Sequence, residues 1–131
     1  MTIRDAADRW ARIWERAWNE KDIEAILGLY SDAVVYSAEP FRKPYRGLDG
    51  MRQFVTAAFA TEERVDAVFG PPIVGEAAAA VPWWATLLED GEEATLAGTS
   101  SLRFDSDGLV VEQWDTWHQS PGAIEVPGWP F

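Results

Sequence analysis

Asp115 is the residue of this 131-residue chain whose surroundings most suggest chemistry. It lies in the run 110–118, with Trp114 and Trp117 close by in sequence. Apolar surroundings disfavour an ionised carboxyl group, so a carboxylate held there is either paired for stability or kept for proton transfer. In the purely structural interpretation, Asp115 accepts hydrogen bonds from a neighbouring Trp or Arg and only supports the fold.

A β-hairpin is predicted to position Asp115. Two β-branched and aromatic runs meet at Asp105-Ser106-Asp107-Gly108, where glycine can adopt the positive φ of a tight turn. Side chains alternate along a strand, which predicts one face with Val111, Gln113, Asp115 and Trp117. The other face then carries Val110, Glu112, Trp114, Thr116 and His118. The single histidine suits acid–base work by its pKa, but this placement favours a surface or interface role.

Helices are predicted in the first half of the chain and strands in the second. Apolar spacing indicates helices over residues 3–18, closed by a left-handed Asn19, then from an Asp22 cap to Tyr30, and over 48–60. Strands are predicted over residues 33–37, 65–74, 78–88 and 94–104, and in the second hairpin arm, with Pro71-Pro72 interrupting the second of them. The last four strands form an antiparallel meander. The loop 38–47 and the tail, anchored by Trp129 and Phe131, are expected to be irregular.

This order predicts a single α+β domain over residues 1–131. Three N-terminal helices pack on a curved, mostly antiparallel sheet, giving a cone-shaped α+β barrel. A cavity between the sheet and the first helix is a natural site for a small molecule.

Composition narrows the function. Eleven Lys and Arg against 22 Asp and Glu give a net charge of −11, which disfavours nucleic acids and anionic membrane surfaces as partners. The absence of Cys and the single His argue against a thiolate or His-rich metal site, and no cofactor is expected. No apolar run approaches the roughly 20 residues that span a bilayer, so we expect a soluble, cytoplasmic protein. The eight tryptophans indicate an aromatic pocket or interface, or simply core.

The chain resembles the nuclear transport factor 2-like superfamily, and within it the SnoaL-like and ketosteroid-isomerase-like domains. The matching segments are Trp18-Asn19-Glu20-Lys21-Asp22, Leu29-Tyr30-Ser31-Asp32-Ala33-Val34-Val35, Tyr45-Arg46-Gly47-Leu48-Asp49-Gly50-Met51-Arg52 and Leu102-Arg103-Phe104-Asp105-Ser106-Asp107-Gly108-Leu109-Val110. The superfamily hosts many unrelated activities, so the resemblance indicates the fold more than the function.

The ketosteroid isomerases provide a residue-by-residue comparison. Their oxyanion-donating Tyr corresponds to Trp14, their catalytic Asp to Ala38, and their protonated Asp to Ser100. Glu39, one residue after Ala38 and before Pro40, is an alternative base. The limonene epoxide hydrolase Arg-x-Asp motif and the histidines of scytalone dehydratase are absent, which leaves the SnoaL-like pattern with a carboxylate base on the last strand.

The resemblance implies a set of pocket residues. Asp115 is expected as the base, Trp14 as a donor to a developing oxyanion together with Tyr36 and Ser100, and Glu39 as the alternative carboxylate at the mouth. The side chains expected to contact the ligand are Tyr36, Phe54, Val81, Trp83, Ser100, Gln113 and Trp117.

The leading hypothesis is a cofactor-free isomerase, cyclase or lyase that binds a small hydrophobic molecule. Two alternatives remain: a non-catalytic ligand-binding protein, and an interaction module with a filled cavity. Because Trp84 and Trp114 are expected on the outer sheet face, which pairs subunits in relatives, a homodimer through this face is predicted.

Overall fold

Three helices form in the first half of the chain. The computed structural model describes residues 1–130, so the predicted packing of Phe131 lies outside the described residues. The helices are α1 (Ile3–Glu20), α2 (Ile23–Leu27) and α3 (Gly47–Ala60), in the places predicted. α1 begins with a capping box, in which Thr2 and Asp5 each accept a hydrogen bond from the other's backbone N–H. In this part of the chain no helix has both the length and the apolarity to cross a membrane.

The ends of the first two helices differ from the prediction. The left-handed residue after α1 is Lys21, with φ of 56°, and not Asn19. Asn19 instead bonds the sheet, because its side chain accepts from the Ala67 N–H at 2.8 Å and donates to the Ala67 carbonyl at 2.9 Å. Asp22 caps α2 as predicted, but Tyr30 belongs to the first strand and not to α2.

One seven-stranded sheet forms the rest of the fold. Its strands are β1 (Tyr30–Ser37), β2 (Tyr45–Arg46), β3 (Glu62–Phe69), β4 (Ile73–Val74), β5 (Ala78–Glu89), β6 (Glu92–Phe104) and β7 (Val110–Pro121). Their order is β2-β1-β7-β6-β5-β3, with β4 also paired to β5, and every pair is antiparallel except β1 with β7. The α+β class and the meander are confirmed. The sheet is a curved, open cone, since β2 and β3 at its two edges do not pair with each other.

The segment 38–47 is less irregular than predicted. Its two prolines flank residues 41–43, but Tyr45 and Arg46 after them form the short strand β2 against β1. This strand leads directly into α3, so it fixes where that helix crosses the sheet.

The hairpin of β6 and β7 holds Asp115 opposite Ser100. Gly108 has the expected positive φ of 78°, and Arg9 of α1 donates to its carbonyl at 2.8 Å. A register shift leaves one extra residue at the start of β7. The strict alternation predicted there is therefore wrong: Val110 is fully buried, whereas Val111 is only half-buried.

The concave face of the sheet packs around α1. Side chains four residues apart share one face of a helix, and Trp10, Trp14 and Trp18 all lie on the buried face of α1. Their rings contact each other and Phe69 of β3 at centroid distances of 5.6 to 6.4 Å. This aromatic layer forms one wall of the cavity described next.

Candidate functional site

A cavity of about 420 Å³ opens between the helices and the concave face of the sheet. Nine predicted site residues line it: Trp14, Tyr36, Glu39, Phe54, Trp83, Ser100, Gln113, Asp115 and Trp117. Val81 does not line it, and the prediction that Val81 contacts the ligand is wrong in this respect. Its side chain is instead fully buried in the hydrophobic core, on the β5 residue that pairs with Ser100.

Asp115 lies in the cavity wall at the centre of a hydrogen-bond network. Ser100 Oγ donates to Asp115 Oδ1 at 2.6 Å, Gln113 Nε2 donates to the same oxygen at 3.0 Å, and the Tyr36 hydroxyl donates to Oδ2. A carboxylate has about four acceptor positions, so about one is left for a ligand. The structural interpretation expected Asp115 to accept a hydrogen bond from Trp or Arg. Its partners are instead Ser100, Gln113 and Tyr36.

Two of these donors, Ser100 and Gln113, are themselves held by further residues. Trp83 Nε1 donates to Ser100 Oγ at 3.0 Å, and the Tyr30 hydroxyl donates to Gln113 Oε1 at 2.5 Å. Tyr30 in turn accepts from the indole N–H of Trp14 at 3.0 Å. The predicted role of Trp14 as a free oxyanion donor is therefore wrong in this geometry, because its only N–H is already bound to Tyr30.

The network opposes the effect of burial on Asp115. Asp115 is only 9% exposed, and burial raises the pKa of its carboxyl group, while the hydrogen bonds from Ser100, Tyr36 and Gln113 lower it. Burial also raises the pKa of Tyr36 and of Tyr30, so both phenols stay protonated and act as donors. Burial has the larger effect, so the pKa of the Asp115 carboxyl group lies above its ordinary value although three neutral donors favour the ionised form.

Glu39 lies at the mouth of the cavity and not in its interior. Its carboxylate pairs with the guanidinium of Arg42 in the same loop at 2.8 Å. Trp117, 39% exposed, closes the mouth from the other side and donates from Nε1 to the Ala38 carbonyl at 3.4 Å. Between the two carboxylates that the sequence left open, Asp115 is the buried one.

Trp83 reaches the cavity because β6 carries a glycine opposite it. A Cβ on Gly98 would lie 2.6 Å from Trp83 Cζ2 and 2.7 Å from the Thr116 carbonyl oxygen. Real Cβ atoms do not approach other atoms so closely, so only glycine lets the indole approach the strand at this position. This close approach positions the Trp83 N–H beside Ser100.

A second buried carboxylate, Glu62, lines the cavity and was not found in the sequence. It is 7% exposed, and Trp18 Nε1 donates to its Oε1 at 2.8 Å. Burial raises the pKa of this carboxyl group, the Trp18 hydrogen bond and Lys21 lower it, and the nearby Glu89 raises it. Glu62 reaches the cavity from the edge strand β3, whereas Asp115 reaches it from β7 in the interior of the sheet.

A register shift explains why alternation could not reveal Glu62. Ala67 and Phe69 of β3 face the core, so strict alternation turns Glu62 outward. Between Glu62 and Arg64 the pairing with β5 shifts, and Glu62 turns inward. The one signal in the sequence was Trp18, whose N–H requires a partner when it is buried.

His118 lies on the outer face of the sheet, as the alternation predicted. It is exposed and borders a groove with Trp84, Thr116 and Trp129. Within residues 1–130, no group of three or more His, Asp or Glu side chains is arranged to hold a metal ion.

The SnoaL-like domain model matches residues 10–113 of the chain. The chain belongs to the SnoaL-like family. The match covers most of the chain: it includes α1 from Trp10 onward, strands β1 to β6, the start of β7, and all of the Asp115 network except Asp115 itself. No functionally curated protein has a significantly similar sequence.

Solved structures show the same fold at low sequence identity. An NTF2-like protein of unknown function from Exiguobacterium sp. 255-15 superposes with a TM-score of 0.74 at 20% identity, covering 86% of this chain and 98% of its own. RV0760c from Mycobacterium tuberculosis gives 0.75 at 16%, covering 93% and 99%. The epoxide hydrolase/cyclase-like enzyme SalBIII, described in pyran ring formation in the polyether salinomycin, gives 0.76 at 14%, covering 87% and 91%. At these identities the likeness establishes the fold alone.

Proposed function

We propose that this SnoaL-like protein binds a small hydrophobic carbonyl compound and acts on it as a cofactor-free isomerase, cyclase or lyase. Asp115 takes a proton from the carbon next to the carbonyl group. The observation that carries the proposal is the buried Asp115 carboxylate in an aromatic cavity, with three neutral donors that favour its ionised form. Burial raises the pKa of this carboxyl group, and a carboxylate with a raised pKa is a stronger proton acceptor.

The Tyr36 hydroxyl can stabilise the negative charge that develops on the ligand oxygen during this step. Its hydroxyl donates to Asp115 while Asp115 is ionised. When the carboxylate accepts a proton it becomes a weaker acceptor, and the Tyr36 hydroxyl becomes available for the oxygen on which negative charge develops. Donors already in place in a buried site stabilise such charge at little cost in reorganisation.

The experiment is the exchange of ligand hydrogen for deuterium in D₂O, followed by proton NMR. The probes are three enolisable ketones: 2-tetralone, a β,γ-unsaturated steroid ketone and a tricyclic aromatic β-keto ester. The wild type is expected to accelerate exchange of at least one probe above buffer, and Asp115→Asn to reduce that acceleration by about 10²- to 10⁴-fold. Asp66→Asn, an exposed carboxylate of β3, is the matched control and is expected to retain the wild-type rate.

Two results of this experiment would contradict the proposed proton transfer. If the wild type exchanges none of the three ketones faster than buffer, or if Asp115→Asn exchanges at the wild-type rate, the proposed proton transfer is wrong.

A second candidate function is ligand binding without catalysis. It is favoured by the same network, because three donors on one carboxylate also reduce its basicity. Tryptophan fluorescence titration with the same ketones tests it, using Trp83→Phe to remove a cavity wall. Saturable quenching that weakens in Trp83→Phe, with no exchange above buffer, would favour this function over the enzyme. The open cavity speaks against the third alternative, an interaction module with a filled interior.

A further inference from the structure

Two carboxylates meet at the end of the cavity that is remote from Asp115. Glu62 of β3 pairs with Glu89 of β5, and both side chains line the cavity. Asp115 lies opposite Ser100, whose partner on β5 is Val81. Val81 and Glu89 are eight residues apart along β5, so a ligand group that contacts Glu62 is a different group from the one at Asp115. We call the Glu62–Glu89 pair the acidic end of the cavity.

Each carboxylate of the acidic end has one oxygen that no donor uses. Trp18 Nε1 donates to Glu62 Oε1 at 2.8 Å, and Thr61 Oγ1 donates to Glu89 Oε2 at 2.8 Å. Among residues 1–130, no donor lies within hydrogen-bonding distance of the other two oxygens. Arg9 Nε is the one fully buried, unpartnered side-chain nitrogen or oxygen in this part of the chain, so Glu62 Oε2 retains accessible surface. Because Glu62 is only 7% exposed and lines the cavity, that surface lies in the cavity.

No cationic side chain of residues 1–130 reaches the acidic end from within the cavity. Lys21 lies close to Glu62, but its ammonium group is bound to two backbone carbonyls, one of them that of Glu62, and it does not line the cavity. Arg42 and Lys43 do line the cavity, but they belong to the loop at its mouth, where Arg42 is paired with Glu39. The free oxygens of the acidic end are therefore left without a counterion in this part of the chain.

The surroundings of the acidic end suit an organic cation. Two neighbouring carboxylates repel each other, and a cation bound between them offsets this repulsion. The walls here are apolar, since Trp18, Phe59 and Leu87 line the same cavity, and Leu87 shares a face of β5 with Glu89. Two carboxylates offer fewer oxygens than Ca²⁺ or Mg²⁺ requires, whereas apolar walls with a few polar groups are typical of sites for small organic molecules.

We propose that Glu62 and Glu89 bind an alkylammonium group of the ligand at the acidic end of the cavity. This inference rests on the ligand-binding part of the proposed function, and it does not require Asp115 to transfer a proton. The ligand class is a primary amine with an apolar carbon body. Its ammonium group has three N–H donors, of which one bonds Glu62 Oε2 and another bonds Glu89 Oε1. The net charge of −11 attracts such a cation at longer range.

Isothermal titration calorimetry with 2-aminotetralin and 2-tetralone tests the proposal. The two probes share a ring system, but only the amine is protonated near neutral pH, as a lysine side chain is. Glu62→Gln keeps the size of the side chain and an acceptor for the Trp18 N–H. It is expected to weaken binding of the amine about 10- to 100-fold, the effect of losing a hydrogen bond between charged groups, and to leave binding of 2-tetralone unchanged. Glu63→Gln, at the next and exposed residue, is the matched control and is expected to keep both affinities.

Glu89→Gln provides a second variant at a half-buried position. The amide still accepts from Thr61 but carries no charge. It is expected to weaken binding of the amine about two- to five-fold, less than Glu62→Gln does, because Glu89 is more open to solvent. Binding of 2-tetralone should again stay unchanged, whereas a merely structural role of these carboxylates would affect the two probes alike. This variant decides the matter if Glu62→Gln fails to fold.

The outcomes separate this inference from the proposed function. If the wild type binds 2-tetralone but not the amine, or if both variants bind the amine with wild-type affinity, the inference alone is overturned. It is also overturned if Asp115→Asn loses the amine and Glu62→Gln keeps it, because the amine then binds at the other end. If amine binding requires Glu62 but the wild type exchanges no ketone, the proposed proton transfer alone is wrong. If the wild type binds neither probe, both proposals are wrong.

Discussion

The stability of this protein is expected to depend on pH because two carboxyl groups, those of Asp115 and Glu62, resist ionisation in the folded chain. The ordinary pKa values are 3.8 for Asp115 and 4.5 for Glu62, and both are raised on folding, chiefly by burial. The folded chain therefore binds protons that the unfolded chain releases. The stability that these groups contribute is complete below the ordinary values and is lost as pH rises through the raised ones.

Asp115→Asn isolates this effect for one group. The amide can still accept from Ser100 but cannot ionise. We expect the free energy of unfolding of the wild type, relative to this variant, to fall as pH rises above 3.8 towards neutrality. Urea unfolding at a series of pH values measures the difference. Asp66→Asn, at an exposed position, should give no such trend, and a pH-independent difference for Asp115→Asn would contradict the prediction.

At the scale of single residues, the sequence identified the side chains that follow regular alternation. Asp115, Gln113 and Trp117 lie on the predicted face because β7 is regular from residue 112 onward. Glu62 was missed because the predicted strand began only at residue 65, and because a register shift turns Glu62 to the face that alternation would not give it. The bonding of the Trp14 N–H was also beyond prediction, since it depends on Tyr30, which the sequence pattern placed in a helix.

The β5–β6 pair is the element on which the inner wall of the cavity depends. Gly98 of β6 lies opposite Trp83 of β5 in the pairing, and the missing Cβ accommodates the indole. The Thr116 carbonyl on the other side belongs to a sheet backbone that cannot move away easily. A methyl group at this position therefore has to displace Trp83 into the cavity or open the sheet.

Gly98→Ala is expected to lower the free energy of unfolding by about 1–3 kcal/mol, the usual effect of overpacking. It should also weaken the quenching of tryptophan fluorescence by bound ketone, because Trp83 leaves its position beside Ser100. Gly28→Ala is the control, since a Cβ there meets neighbours at ordinary distances of 3.5 Å and beyond. Its stability should stay within about 0.5 kcal/mol of the wild type. Equal stability of the two variants would argue against the close contact at Gly98.

At the scale of elements, long periodic segments were predictable and short ones were not. The apolar arc of α1 and the Gly108 turn carry their own local signals. β2 has two residues and no pattern of its own, and it exists because β1 offers it an edge. Such tertiary pairing overrides local preference, as it also does for Tyr30.

The outer face of the sheet bears on the assembly of the whole molecule. Trp114 is 53% exposed there, and Ile124 of the tail is 44% exposed. The tail crosses part of this face, since the Trp84 indole donates to the Ile124 carbonyl at 2.8 Å. We propose that two chains pair through the remaining surface around Trp114, because large exposed aromatic residues are typical of interfaces.

Sedimentation velocity tests this pairing. The wild type is expected to sediment as a dimer of its 14.6 kDa chain, and Trp114→Glu as a monomer, because a buried unpaired charge opposes association. Phe41→Ser, at a fully exposed position in the mouth loop, should remain dimeric. A monomeric wild type, or a dimeric Trp114→Glu, would show that this face does not pair two chains.

The overall arrangement was predictable in class but not in every pairing. Helices followed by strands indicated the curved sheet around α1, and short turns indicated the meander. The parallel pairing of β1 with β7 joins residues some eighty positions apart, for example Tyr36 with Gln113. No local pattern encodes such a pair. It is nevertheless this pairing that brings the Tyr36 hydroxyl to Asp115.

The fluorescence of Trp18 is expected to depend on the protonation state of Glu62. Its N–H is bonded to the Glu62 carboxyl group, and its ring lies 6.1 Å from that of Trp14 and 5.7 Å from that of Trp83. A protonated carboxyl group quenches indole emission more strongly than a carboxylate, and neighbouring indoles share excitation at such distances. The intrinsic tryptophan fluorescence of the unlabelled protein therefore reports whether the Glu62 carboxyl group is protonated.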